Sequence, residues 1–316
     1  MIPCREPVSL ADSPGGGGLP YTAAMLLIVN PAAAGGSVGR HWPRLHRRLR
    51  AASFDPPLVF TEAPGHATEL AAEAVRQGET LVVAAGGDGT ICEIVQGLHD
   101  AGGATLGILP LGTGNDAART LSLPLHLEQA ARAIVAGHTR RIDLIRAGDR
   151  IVLNAIGIGL LGAINVNAAS IKFVRGIAAY MAAAVGTLFS YHCPEITLTS
   201  GSFSYTGEMT ILAVHNGVTT GGGFRLTPAA LPDDRHLDAL LVEATAVPAR
   251  LARLVAAVRG TLPAKPGSHE IAFERLELRT GVALPCHFDG NPAHIEPPGM
   301  TFEVLPAAQE VITAQP

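Results

Sequence analysis

Leu81-Val82-Val83-Ala84-Ala85-Gly86-Gly87-Asp88-Gly89-Thr90 decides how this chain is read. Five apolar residues ahead of two glycines have the length of a buried strand, and a helical apolar spacing follows from Thr90 to Ala101. Ligands of open α/β sheets bind at the carboxyl ends of strands. Glycines at such an end remove side chains, so backbone N–H groups approach an anion closely, and the next helix adds partial positive charge. Asp88 would repel a phosphate unless a divalent cation lay between them, so Mg²⁺ is expected beside it. The plainer alternative is a tight turn capped by Asp88. Three glycines around one aspartate exceed what a turn needs.

The same alternation continues outward. Leu26–Val29, Leu58–Thr61 and Leu106–Pro110 read as strands; Val38–Ala52, Ala67–Gln77 and Leu127–Ala136 read as helices. Two further strand ends carry polar, glycine-bearing turns: Asn30-Pro31 before Gly35-Gly36, and Pro110-Leu111-Gly112-Thr113-Gly114-Asn115-Asp116. Thr113 can donate to a phosphate oxygen, and Asn115 and Asp116 can cap a helix or hold metal-bound water. Beyond residue 142 the texture becomes strand-like, in Ile142–Ala147, Arg150–Ile156, Glu195–Thr199, Thr210–His215, Ala239–Ala244 and Glu270–Arg279, with helices near 168–190 and 248–260.

The fold class expected is α/β plus all-β. A doubly wound α/β domain with a parallel sheet (25–142) precedes a β-sandwich-like domain (143–316), with the active site in the cleft between them. Residues 1–24 read as a disordered extension or a mis-called start. Met300–Val311 is a candidate strand returning to the first domain.

Composition narrows the chemistry. The chain has 316 residues, 47% hydrophobic and 16% charged, which excludes a disordered chain. A net charge of −4 argues against a nucleic-acid partner. Of 23 basic residues only Lys172 and Lys265 are lysines, and neither follows a Walker A glycine pattern or sits in a protein-kinase motif. Four scattered cysteines form no zinc spacing and read as reduced thiols of a cytoplasmic protein. The uncharged run Gly176–Cys193 is short for a membrane span. Arg40, Arg44, Arg47, Arg48 and Arg50 mark a basic helix, either a solvated face or a contact with anionic lipid. Lys172 and Arg175 could flank a lipid entry in the same way, and Arg119 and Arg225 are the arginines placed to reach a phosphate.

At these residues the chain resembles the diacylglycerol kinase catalytic-domain family, in its bacterial soluble lipid-kinase branch with sphingosine and ceramide kinases as relatives, over roughly residues 25–306. The motifs that carry the resemblance are Asn30 to Gly36, Gly86 to Thr90 with Glu93 following, and the complete Pro-x-Gly-Thr-x-Asn-Asp-x-Ala-Arg run from Pro110 to Arg119. The resemblance implies ATP bound at Asn30, Thr61, Gly86, Gly87, Asp88, Gly89, Thr90, Glu93, Gly112, Thr113 and Asn115, with Mg²⁺ organised by Asp88 and Asp116. Gly221-Gly222-Gly223 and Asp233-Asp234-Arg235-His236-Leu237-Asp238 resemble a later segment. There the family holds a structural Mg²⁺, here by Asp234 with the main-chain carbonyls of Leu231 and His236. Arg235 replaces the usual glycine, and an Asx turn is the plainer reading of Asp233 and Asp234.

One departure matters more. The family's Asp-Gly-Glu, whose glutamate is taken as the base, is Asp289-Gly290-Asn291 here. An amide accepts no proton as a carboxylate does, although phosphoryl transfer relies chiefly on positioning and charge stabilisation. The resemblance implies an ATP-dependent lipid kinase acting on diacylglycerol or a similar lipid alcohol. The catalytic candidates are Asp88, Asp116, Asp289 and Asn291. Membrane contact would be peripheral, and a homodimer is compatible with it. Two rivals stand beside this reading: a catalytically weak nucleotide- or lipid-binding homologue, and a kinase of a soluble acceptor such as NAD.

Overall fold

The computed structural model describes residues 24–170 and 186–314. Four parallel strands open the chain: β1 (Met25–Val29), β2 (Leu58–Phe60), β3 (Leu81–Gly86) and β4 (Thr105–Pro110), in the spatial order β4-β3-β1-β2. Helices α1 (Ala33–Ala51), α2 (His66–Arg76), α3 (Asp88–Asp100), α4 (Asp116–Thr120) and α5 (Leu127–Ala136) alternate with them. Val82, Ala84, Ile28 and Ile108 pack on one face against Leu70, Ile94 and Leu98 of α2 and α3. Leu27, Val29, Val83, Ala85 and Leu109 pack on the other against Trp42, Leu49 and Ile134 of α1 and α5. Burial on both faces is why β3 reads as a continuous apolar run. In α1, Ala34, Gly35 and Gly36 are left-handed, so regular helix begins only after them.

The second half is an antiparallel two-layer structure. One layer contains β5 (Thr139–Ala147), β6 (Arg150–Val152), β8 (Glu195–Ser200), β14 (Arg275–Thr280) and β17 (Gly299–Ile312). The other contains β7 (Ala155–Gly159), β12 (Leu237–Glu243), β13 (Ser268–Phe273), β15 (Leu284–Phe288) and β16 (Asn291–Ile295). β9 (Phe203–His215) belongs to both, pairing with β8 in its first half and with β7 and β12 in its second. Ile156, Ile158, Leu212 and Val214 meet Ile196, Leu198, Leu276 and Phe302 in the core between them. Helices α6 (Leu160–Ser170) and α7 (Val247–Val258), a helical stretch at 186–190, and the short pair β10 (Thr219–Thr220) and β11 (Phe224–Arg225) also belong to this half. β17 runs antiparallel to β14 and β5 and then lies parallel to β4, with Val311 opposite Leu106. Its register shifts around Ala307, whose N–H donates to the buried Asp143 carboxylate at 2.7 Å.

Several expectations are corrected here. Arg150–Ile156 is two strands, because Asp289 takes the N–H groups of Leu153, Asn154 and Ala155 out of the ladder. Glu270–Arg279 is also two strands, with β13 on β12 and β14 on β8 and β17, so the chain changes layers at Glu274. The boundary at 142/143 falls inside β5, which pairs with β17 along its length. The helix expected near 168–190 lies mostly outside the described residues; α6 ends at Ser170, and residues 186–190 are helical. Residues 1–23, Lys172 and Arg175 lie outside the described residues. Among the described residues no helix is long and apolar enough to cross a membrane. On the basic helix, Arg48 pairs with Glu128, Arg50 with Asp55, and Arg40 and Arg47 with carbonyls of their own segment.

Candidate active site

Strand ends β1, β3 and β4 converge because parallel strands place their carboxyl ends on one edge. The turns after β3 and β4 touch backbone to backbone: a side chain at Gly112 would collide with the Cα of Gly87. Gly89 is equally constrained, since a Cβ there would strike the Asn291 side chain. Asn30, at the end of β1, ties the edge together. Its Nδ2 donates to Thr90 Oγ1 at 2.8 Å, and its Oδ1 accepts from Ala32 N at 2.9 Å.

These turns wall a polar cleft of about 390 Å³, lined by Asn30, Thr61, Glu93, Thr113, Gly87, Gly89, Thr90, Gly112 and Asn291. Three predicted residues, Gly86, Asp88 and Asn115, are not in its lining. Gly86 packs against the Thr90 side chain, and Asn115 folds back on Gly112, accepting its N–H at 2.8 Å and donating to its carbonyl at 3.1 Å. The short side chain of Asn115 holds the loop, with its backbone left-handed at φ 55.

Asp88 and Asp116 meet over Gly114. An ideal Cβ on Gly114 would lie 3.1 Å from Asp88 Oδ2 and 3.2 Å from Asp116 Oδ2. Asp88 Oδ1 accepts the Ala117 N–H at 2.9 Å, and Asp116 Oδ2 accepts the Gly222 N–H at 2.7 Å, a contact from the second domain. Asp116 Oδ1 is buried with no hydrogen-bond partner among the described residues. Burial raises Asp88 to about 6, with the charge of Asp116 adding to it and the Ala117 N–H opposing. Two close carboxylates with an unsatisfied hard oxygen donor suit a divalent cation.

The Asp289 turn is different from its expectation. Asp289 is buried, and its two oxygens accept from Leu153, Asn154 and Ala155 at 2.7–3.2 Å. Burial pushes it to about 7 despite those three bonds. It anchors the β15–β16 turn against β7 and does not point into the cleft. Asn291 does reach the cleft, donating to the Gly89 carbonyl at 3.1 Å.

The expected metal loop closes on itself. Asp234 Oδ1 accepts the His236 N–H at 3.0 Å, an Asx turn, while its carbonyl faces the His236 ring. Asp233 pairs with Arg140 and Leu231 is exposed. Arg235 adopts the left-handed φ of 68 that glycine would supply, and its N–H donates to Asp143 at 2.6 Å. One carboxylate oxygen of Asp234 is thus taken by its own backbone. Arg119 donates to the Gly114 carbonyl beside the turn, whereas Arg225 lies against Gly260.

The sequence did not reveal an apolar pocket behind the Gly221–Gly223 loop. Leu160 and Ile164 of α6, Leu254 and Ala257 of α7, and Ile211, Leu226 and Val242 wall it, with Thr210, Thr220, Arg250, Arg253 and His287 as its polar side chains and Gly221 at its edge. Its free volume is about 40 Å³. Arg250 is buried and donates to the carbonyls of Leu188, Tyr191 and Thr245. The only advance signal was the apolar side of each β-strand, which does not say what the strands enclose. A glycine-walled polar cleft beside a close carboxylate pair in the doubly wound half, joined through Gly222 to an antiparallel half that holds an apolar pocket, fits a two-domain kinase.

Comparison with known proteins agrees. Residues 24–147 match the diacylglycerol kinase catalytic domain, and residues 154–313 match the YegS C-terminal NAD kinase beta sandwich-like domain. A "Probable lipid kinase YegS-like" protein of Pseudomonas savastanoi pv. phaseolicola is 32% identical over 268 residues, covering 83% of this chain and 85% of that one. One of the same name from Xanthomonas campestris pv. campestris is 36% identical over 264 residues, 78% of this chain and 82% of the other. The crystal structure of a diacylglycerol kinase from Bacillus anthracis str. Sterne superposes with a TM-score of 0.67 at 25% identity, over 92% of this chain and 96% of that one. The chain belongs to the diacylglycerol kinase catalytic-domain family.

Proposed function

We propose that this lipid-kinase family member transfers the γ-phosphoryl group of ATP to the hydroxyl of a lipid alcohol such as diacylglycerol. The observation that carries the reading is the placement of Asp88 and Asp116. Asp88 lies between the cleft residues Gly87 and Gly89, and Asp116 accepts the N–H of Gly222, whose neighbours Thr220 and Gly221 border the apolar pocket. Backbone N–H groups at Gly87 and Gly89 suit the phosphates, with Thr113 as a hydroxyl donor and Asn30 and Thr61 along the same wall. Mg²⁺, held by Asp88 and Asp116, would neutralise charge on the transferring phosphoryl group. Asp88 is the carboxylate that could accept the hydroxyl proton in place of the missing glutamate. The acyl chain would enter the pocket between α6 and α7, which must part to admit it. Peripheral contact with a membrane would deliver the acceptor.

Asn291 supports a second reading, binding without efficient turnover, because its amide is spent on the Gly89 carbonyl. A radiolabelled-ATP assay decides. Purified protein with Mg²⁺ is offered mixed micelles of diacylglycerol, ceramide, sphingosine or undecaprenol, with NAD as soluble control and Asp88→Ala beside it. Label in a lipid that vanishes in the variant is expected. Label in NAD alone, or ATP binding with no transfer, would contradict the proposal.

A further inference from the structure

His287 is a pocket-lining side chain that the reading above leaves without a task. It lies on β15 opposite Gly157 of β7, and only a glycine there leaves room for the ring, since a Cβ would collide with Nε2. The Gly290 N–H donates to Nδ1 at 3.3 Å, which fixes the ring proton on Nε2. Burial holds the ring neutral, with its pKa pushed down to about 4. Nε2–H has no partner among the described residues, although it belongs to a residue only 4% exposed that borders the pocket. A ring N–H without a protein partner on a pocket-lining residue is a donor open to a ligand atom.

The neighbouring imidazole does not supply one. His215 Nδ1 lies 2.8 Å from Thr227 Oγ1, whose own proton goes to the Gly217 carbonyl, so His215 donates from Nδ1 and is bare at Nε2. A charge on His287 would be felt at His215, but no hydrogen bond joins the two rings. The location favours the acceptor. Thr220 and Gly221 share the pocket wall with His287, and Gly222 beside them donates to Asp116. Four residues beyond His287, Asn291 touches Gly89.

We propose that the Nε2–H of His287 donates a hydrogen bond to the acceptor's hydroxyl oxygen, selecting lipids that carry that hydroxyl and holding it toward Asp88 and Asp116. This rests on the lipid-kinase reading and adds to it the residue that recognises the alcohol. The test compares binding of a short-chain diacylglycerol with its 3-deoxy analogue by calorimetry, in the wild type and in His287→Gln, His287→Asn and Gly157→Ala. The wild type should prefer the alcohol by about tenfold, the scale of one such bond. Glutamine presents its amide near the Nε2 position and should keep most of the preference. Asparagine presents it near Nδ1 and should lose it, as should Gly157→Ala by displacing the ring. Affinity for a non-hydrolysable ATP analogue should stay within twofold throughout, which reports that each variant is folded. A preference that survives in both His287→Asn and Gly157→Ala would overturn the inference while leaving lipid phosphorylation intact. A wild type that binds neither lipid and labels none would overturn the lipid-kinase reading and this inference together.

Discussion

The polar cleft and the apolar pocket are linked through residues that adjoin Asp88 and Asp116, yet they are built in opposite ways. The cleft is made of backbone: Gly87 touches Gly112, Gly89 touches Asn291, and few side chains could be tolerated at those glycines. The pocket is made of side chains from α6, α7, β9 and β12, brought together only when the second domain folds. A wall of backbone has one shape, whereas a wall of leucine, isoleucine and alanine can repack. Fixed recognition of a constant phosphate and adaptable recognition of a variable lipid are assigned to the two accordingly.

The largest effect should come where the regions join. Asp88→Asn should lower phosphoryl transfer by about 10²–10³-fold, measured as label incorporated into lipid, because it removes a charge aimed at the transferring group. Asn291→Glu should raise the rate by about 10²-fold if a carboxylate at that turn supplies general-base help. An unchanged rate would show that Asp88 suffices.

Asp289 sharpens the comparison from the structural side. Asp289→Ala leaves three buried N–H groups without an acceptor. Urea unfolding should show a loss of about 3 kcal/mol. A loss below about 1 kcal/mol would mean that the β15–β16 turn stands without it.

The buried imidazoles predict a pH dependence. Burial holds His215 at about 3, below its unfolded value, so the unfolded chain binds the proton first as pH falls. Stability from this group is therefore present above the unfolded pKa and lost below it. Asp88 and Asp289, raised in the folded state, act in the opposite sense. The difference between wild type and His215→Asn isolates the histidine. It should shift by about 2 kcal/mol between pH 7 and pH 5, with the wild type losing more. The smallest effect belongs to the pocket alone. Ala257→Phe should raise the lipid KM by about tenfold and leave the ATP KM unchanged, and equal changes in both would contradict the division.

What could be read from the sequence follows the same division. The first sheet was legible because β3 is apolar on both faces and each strand end carries its own glycines. The cleft residues Asn30, Thr61, Thr90 and Thr113 lie within those local motifs. Asp289 misled, because an Asp-Gly turn says nothing about where the carboxylate points, and here three N–H groups from residues 153–155 claim it. Asn115 misled for the same reason, closing its own loop at Gly112. Contacts such as Gly222 to Asp116 span 106 positions and leave no local trace. The pocket and His287 were illegible because alternation marks a buried face and not what it surrounds.

The most direct test of the carboxylate pair as the junction between the two regions is Asp116→Asn, assayed for transfer and for binding of both substrates. The account predicts that label transfer to diacylglycerol falls by about 10²-fold or more. A non-hydrolysable ATP analogue and the short-chain lipid should each still bind. Transfer retained within threefold of wild type would contradict it.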